Sequence, residues 1–321
     1  MRIVFMGTPD FAVPSLRKLE EAGHDVVLVV TQPDRRAGRG RALRSPPVKD
    51  AAAELGLPLE QHESVNTDEF AERLRALEPD VLVVVAFGQI LRDDLLACPK
   101  RGAINVHASL LPRYRGVAPI NWVIMNGETE TGVTTMYMNA RIDRGEIILS
   151  RKTPIRDMET AGELYDRLSA MGAELLVETL RRIEDGTAPR EAQDPEMANY
   201  VRKLRKSDGE IDWSETPRRV FDRIRGTTPW PGAYTWYRGE MLRVLRAAPG
   251  RDKGAGRGPG EVLAVDDERG IEVAVDGGSV WIERVKPAGK KEMDAASFVR
   301  GYGVEVGAAP FESSGSDGGG R

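Results

Sequence analysis

Residues 26–30 and 81–85 are unbroken apolar runs, Val-Val-Leu-Val-Val and Val-Leu-Val-Val-Val. A strand that is apolar on both faces belongs in a parallel sheet covered by helices on either side. Residues 3–6 form a third such run. Between the runs, apolar positions recur at helical spacing over 11–22, 47–55 and 67–77. Gly23 and Gly56 stand where left-handed helix ends are expected, and Pro47 suits a first helical turn. Strand alternating with helix predicts a doubly wound, mostly parallel α/β sheet, Rossmann-like in plan. Residues 133–139 and 147–150 add two strands, and Thr160 with Glu163 carries the capping-box pattern. That pattern opens a long helix to about Ile183, which Asp185-Gly186 ends.

The texture then changes. Residues 187–206 have little apolar period, and Pro189 and Pro195 mark a connector. A short helix over 216–225 starts at Pro217. Five short strands follow at 233–237, 241–247, 261–265, 271–275 and 279–285, separated by glycines and charges. This spacing predicts a small β-barrel. Residues 250–260 read as a flexible loop, and the Gly/Ser-rich stretch from 307 to 321 as a disordered tail. The expected domains are 1–189, a linker 190–206, a barrel 207–306 and the tail.

Composition narrows the classes. The 321 residues carry a net charge of -4 and a single cysteine, Cys98. An intrachain disulfide framework and a cysteine-rich zinc site are excluded. A wholesale nucleic-acid coat is disfavoured, although a local basic patch on an acidic body is not. The strand-like start leaves no room for a targeting peptide, and no apolar run approaches the roughly 18 residues of a membrane span. A cytoplasmic protein is expected.

Four places carry candidate chemistry. Gly7-Thr8-Pro9 sits where a dinucleotide loop would, but it is not G-x-G-x-x-G and Pro9 removes an amide donor. A nicotinamide or flavin enzyme is rejected; the turn is either plain structure or a backbone wall for a ligand. The long connection 32–49 holds Arg35, Arg36, Arg39, Arg41, Arg44 and Lys49, against Asp34 and Asp50. A charge run is usually a solvated face, but this one interrupts a strand–helix connection at the ligand-binding edge of the sheet. Phosphate-backbone recognition is the preferred reading. In the stretch 103–116, Ile104 and Val106 alternate with Asn105 and His107. An amide and an imidazole on one face can stabilise an oxyanion and move a proton. On spacing alone, two satisfied polar groups at a strand end are the simpler reading. Asp143, before the turn at Gly145, is either a turn aspartate or a partner for His107. His24 and His62 are given no role. No serine elbow, metal cluster or phosphate loop is present.

Together these residues resemble the methionyl-tRNA formyltransferases, within the 10-formyltetrahydrofolate-dependent formyltransferases. The resemblance rests on Gly7 to Ala12, Thr31 to Arg35 with Gly38-Arg39-Gly40, Ala86-Phe87-Gly88, and Ile104 to His107 continuing through Ser109 to Gly116. It continues with Glu130 to Thr134, Asp143-x-Gly145, Ile211-Asp212-Trp213, Pro229-Trp230-Pro231 and Pro287 to Lys291. It reaches to about residue 303 and leaves out only the tail. Asn-x-His, Ser-Leu-Leu-Pro and the later Asp look like the signature shared by formyl-folate enzymes. The Gln-Pro-Asp-Arg loop and the second domain separate the tRNA enzymes from relatives acting on glycinamide ribonucleotide or amino sugars. Three positions depart from the family: Ala108, Arg144 and Thr228.

The resemblance implies a metal-free catalytic trio of Asn105, His107 and Asp143, with 10-formyltetrahydrofolate as co-substrate. Ser109, Leu110, Leu111 and Pro112 are implied as folate contacts, with Phe87, Gln89, Ile90 and Leu91 as a second wall. Arg35, Arg36, Arg39, Arg41 and Arg44 are implied to enter the acceptor end of initiator methionyl-tRNA, Arg39 foremost, while an OB-like barrel holds the tRNA body. Lys203, Arg205 and Lys206 read either as phosphate contacts or as linker charges. A monomer is expected, and Arg144 is expected to set a cation beside Asp143. Two rival functions remain at this stage: the same chemistry on a nucleotide amino sugar, and a non-catalytic RNA-binding protein.

Overall fold

The computed structural model describes residues 1–37, 42–250 and 256–313. The chain divides into two compact units. The first comprises Met1–Pro119, Glu130–Pro154 and Tyr165–Val201; the second comprises Ile120–Thr129, Ile155–Leu164 and Arg202–Arg321.

The first unit is built on a seven-stranded sheet. Its strands are β1 (Arg2–Gly7), β2 (Asp25–Thr31), β3 (Leu59–Gln61), β4 (Val81–Val85), β5 (Ala103–His107), β6 (Glu130–Tyr137) and β7 (Ile147–Pro154). Their order across the sheet is β7-β6-β5-β4-β1-β2-β3. Pairing is parallel from β3 through β5 and antiparallel at β5–β6 and β6–β7. The expected doubly wound sheet is therefore present. All five residues of β4 are buried, as an apolar run covered on both faces requires. One face packs Val4, Met6, Leu28, Leu82 and Val84 against Phe70, Leu74 and Leu95. The chain leaves β1 toward β2 on one side and returns to β4 on the other. The strand order thus reverses between β1 and β4, and the crevice at their carboxyl ends is where such sheets bind ligands.

The helices Val13–Glu21, Pro47–Glu54 and Asp68–Ala76 occupy the expected segments. Gly23 and Gly56 follow the first two at φ 75° and 67°. Thr67 caps the third by accepting the Phe70 N–H. Thr160 and Glu163 form the reciprocal capping pair that opens Ala161–Glu184. In the arginine connection, Gly38 to Arg41 lie outside the described residues. Arg35–Ala37 and Ala42–Arg44 pair as an antiparallel hairpin, with Arg35 opposite Arg44.

In the second unit, β8 (Ala233–Tyr237), β9 (Glu240–Pro249), β10 (Val262–Asp266), β11 (Gly270–Val275), β12 (Gly278–Pro287), β13 (Met293–Asp294) and β14 (Phe311–Glu312) form one sheet. Its order is β10-β11-β12-β9-β8-β14, with β13 on β12, and every pair is antiparallel. Arg238 and Gly239, both at positive φ, make the tight β8–β9 turn. The five expected strands are all present, in a curled antiparallel sheet of the OB-like kind. Its core gathers Trp213, Phe221, Ile224, Val244, Ile282 and Phe298.

The compact units and the expected boundaries differ in three places. The tail is ordered at its start: Gly307 donates to Val262 O, Val262 to Ala308 O, and Phe311 pairs with Tyr237. Residues 307–312 thereby bond both edges of the curled sheet, and Phe311 is buried beside Trp213 and Tyr237. Glycine and serine content hid a single apolar anchor. Residues 314–321 lie outside the described residues, as do 251–255 of the expected flexible loop. Residues 190–201, expected as linker, belong to the first unit, where Glu191 and Ile147 exchange backbone hydrogen bonds. Residues 120–129 and 155–164, expected in the first domain, belong to the second. There Asn121 donates to Gly226 O, and the Arg225 guanidinium to Arg156 O and Glu159 O.

Candidate active site

Strand β5 brings the first two polar groups to the sheet's carboxyl end. Its register sets Asn105 beside Val84 of β4 and Met136 of β6, and His107 beside Thr134. The Asn105 amide nitrogen donates to Val84 O at 3.3 Å. Its Oδ1 is buried and has no hydrogen-bond partner among the described residues. An unsatisfied buried carbonyl costs about 1–3 kcal/mol, so native structures keep few of them.

His107 is 7 % exposed. Its Nε2 lies 2.9 Å from the Tyr114 carbonyl, which can only accept, so Nε2 carries the proton. That leaves Nδ1 facing Asp143, 3.7 Å from Oδ1. This gap is longer than a hydrogen bond, so Nδ1 keeps a free position for a proton or a substrate atom. The Tyr114 carbonyl is aimed by the loop before it. Thr134 Oγ1 donates to Ser109 O and accepts from Leu111 N–H, while Ser109 Oγ donates to Arg113 O. The Tyr114 N–H is held in turn by Asn199 Oδ1 at 2.5 Å.

Asp143 reaches the site through a constrained turn. It sits at φ 52°, the left-handed region. Its Oδ2 accepts the Gly116 N–H at 2.7 Å. A side chain at Gly145 would place Cβ 1.5 Å from Tyr137 O, so only glycine lets the loop close on β6. Gln193 clamps the turn: its Nε2 donates to Asp143 O at 3.0 Å and to Gly145 O at 2.7 Å. Its Oε1 accepts from Arg115 Nε and Nη2 at 3.0 and 2.7 Å. The strand Tyr200–Val201 pairs in parallel with Arg115–Gly116 and fixes the far side. An amide donor, an imidazole with one open nitrogen and a positioned carboxylate thus converge. They can stabilise an oxyanion and shuttle a proton.

Comparison with known proteins supplies the class. The formyl transferase family model matches residues 1–180, and that of the formyl transferase C-terminal domain matches 203–303. The methionyl-tRNA formyltransferase of Geotalea uraniireducens is 50 % identical over 307 residues, 96 % of this chain and 97 % of that one. The one from Geobacter sulfurreducens is 49 % identical, covering 96 % of each. This chain belongs to the formyltransferase family. Solved structures share the fold at low identity. The N-formyltransferase from Helicobacter canadensis, in complex with folinic acid and dTDP-3-aminofucose, superposes with a TM-score of 0.65 at 20 % identity, over 87 % of this chain and 98 % of that one. HypX from Aquifex aeolicus, in complex with tetrahydrofolic acid, gives 0.62 at 20 % identity, over 95 % of this chain and 48 % of that one.

The formyltransferase positions named from sequence fall into different surroundings. Ser109 is fully buried, Leu111 nearly so, and Leu110 and Pro112 are half-buried. Phe87 and Leu91 are core residues, and Gln89 is turned onto Val65, His62 and Glu63. Of that second wall only Ile90, 61 % exposed, offers an open side chain. Arg35 donates to Gln32, and Arg36 and Arg44 are exposed. Arg39 and Arg41 lie outside the described residues. Lys203 and Lys206 are exposed and enter no ion pair among the described residues, whereas neighbouring Arg202 is spent on Asp208.

Arg144 does not pair with Asp143. Its Nε donates to the Tyr200 hydroxyl and its guanidinium lies 5.4 Å from that ring's centre. The expected cation beside Asp143 is therefore turned away from it. Thr228, the third departure, donates to Ile224 O within its own unit. Gln193, Asn199 and Tyr200 were absent from the sequence reading. They stand in a stretch with no period and no motif, and only its unusual polar content could have flagged them.

Proposed function

We propose that this protein transfers the formyl group of 10-formyltetrahydrofolate to the α-amine of methionyl initiator tRNA, as a monomer in the cytoplasm. One observation carries the reading. Identity near 50 % with methionyl-tRNA formyltransferases extends over nearly the whole of both chains, the second domain included.

Direct transfer needs no covalent enzyme intermediate. The amine attacks the formyl carbon, the carbonyl π pair moves to oxygen, and a tetrahedral oxyanion forms. The second N–H of the Asn105 amide, the one not given to Val84, is available to that oxygen; one such donor is worth on the order of 3 kcal/mol of barrier. His107 Nδ1, facing Asp143, is the nitrogen that can add a second donor when protonated. The amine proton passes to the His107–Asp143 pair, the C–N10 bond breaks, and N10 leaves with a proton returned to it. The orphaned Asn105 Oδ1 fits a substrate that brings its own donor. Ser109 to Pro112 and the Ile90 turn are the proposed folate walls, and the arginine hairpin with Lys203 and Lys206 the proposed tRNA contacts.

A formylation assay that offers methionyl-tRNA and a dTDP-amino sugar in parallel tests the function. Formyl-methionyl-tRNA is the expected product. Formylation of the sugar nucleotide alone would replace this reading with the small-substrate rival, and turnover of neither would leave an RNA-binding protein.

A further inference from the structure

Beside the Asp143 turn, the first unit holds a cleft of about 450 Å³, lined by Arg115, Arg141, Arg144, Asn139 and Gln193 among others, with Asp93 as the carboxylate in that lining. Arg115 decides its character. The residue is 5 % exposed, yet its guanidinium partners are neutral: Gln193 Oε1 and the Tyr200 hydroxyl. Among the described residues it enters no ion pair. A cation taken out of water without a counter-charge is costly and is normally paired or coordinated. Arg144 donates to the same Tyr200 hydroxyl, and both guanidinium groups lie within 5.6 Å of its ring centre. Arg141 is exposed and carries no carboxylate partner among the described residues. Three guanidinium groups thus face one carboxylate around a single cleft.

Tyr200 reports the resulting field. Burial of its hydroxyl raises its pKa, but hydrogen bonds from Arg144 and Arg115 and their charge outweigh this and hold it below the usual tyrosine value. A neutral heterocycle would leave these cations uncompensated. The fork of a guanidinium matches phosphate and carboxylate oxygens.

We propose that this cleft binds an oxyanion of the substrate through Arg115, Arg141 and Arg144. The inference rests on the substrates assigned above, and two of their groups share the chemistry: the phosphodiester next to the aminoacylated ribose, and the glutamate carboxylates of the folate. Gln193, in the lining, bonds both Arg115 and the Asp143 carbonyl, so the site adjoins the Asp143 turn. The phosphodiester, one ribose away from the reacting amine, is the better match.

The test is a binding experiment on the full chain and needs no turnover, so failure of formyl transfer would not be mistaken for failure here. Orthophosphate titrated calorimetrically should bind saturably. Arg144→Ala and Arg141→Ala should each weaken binding roughly tenfold, as loss of a charge-assisted contact implies. Because phosphate can also collect on the arginine hairpin, a local signal is read as well. The tyrosinate absorbance difference between the wild type and Tyr200→Phe should move to higher pH as phosphate saturates the two guanidinium groups. Unchanged affinity in both arginine variants, or an unmoved Tyr200 titration, would overturn the proposal. Displacement of phosphate by AMP but not by adenosine assigns the site to the acceptor strand. Displacement by pteroylglutamate but not by pteroate assigns it to the folate, and displacement by neither anion overturns it.

Discussion

Asn105 and His107 are marked by what they leave unmade. Among the described residues Asn105 keeps a buried oxygen without a partner, and His107 keeps Nδ1 open toward Asp143. Both therefore retain hydrogen-bonding capacity, which the proposed mechanism uses. Asn105→Ala and His107→Ala should each lower kcat by about two orders of magnitude while KM stays nearly constant, since a donor aimed at the oxyanion acts in the transition state. Near-native turnover in steady-state kinetics would remove either residue from the mechanism. Gln193 works one step back, as a positioning residue. Gln193→Ala frees two carbonyls of the Asp143 turn and should lower kcat by roughly tenfold, the loss attached to supporting contacts around a site. Gln193→Glu keeps an acceptor for Arg115 but loses both donors to the turn, so it should not rescue. Recovery of kcat in that variant, with an unchanged melting temperature, would show that the Arg115 side of the clamp is what matters.

At the scale of elements, the arginine hairpin is the proposed tRNA contact. Arg35 and Arg44 stand directly opposite each other, and like charges so placed repel. The hairpin is tethered at its base, where Lys49 pairs with Asp34 and Gln61 bonds both Asp34 and the Gln32 carbonyl. Arg36 and Arg44 are exposed there, as the proposed phosphate contacts require. Arg44→Ala should raise KM for tRNA, leave the folate KM unchanged, and reduce the slope of log KM against log salt by about one, the amount set by one released counterion. An unchanged salt slope would remove Arg44 from the phosphate contacts. The strand β5 illustrates the opposite design. Its neighbours on both sides fix Asn105 and His107 by register, so the two proposed catalytic groups move only if the sheet does.

At the scale of the whole molecule, two units of different architecture each close their own core. The second unit depends on a residue far out on the chain. Phe311 packs on Trp213 and Tyr237 and lies next to the Gly307–Val262–Ala308 bonds that join the other edge. Phe311→Ala should destabilise the second unit by about 3–5 kcal/mol, the usual cost of emptying a buried aromatic site. A thermal unfolding scan would register the loss, and a melting temperature equal to wild type would mean the segment is dispensable.

The sequence by itself determined the sheet, its parallel part, the main helices with their caps, the barrel strands and the Asn105–His107 pair. These are local properties: apolar runs, periods of two and 3.6, and capping residues all act within a few positions. It named Asp143 but left its reach to His107 open, because nothing in spacing joins two residues 36 apart. The tertiary structure decided what depends on distant chain meeting. It turned Arg144 from Asp143 to Tyr200, drew Gln193 and Asn199 out of a supposed linker to hold the site, and made Phe311 of a supposed tail into core. A polar side chain chooses its partner by what packing brings within 3 Å or so, and that choice is made by the folded chain as a whole.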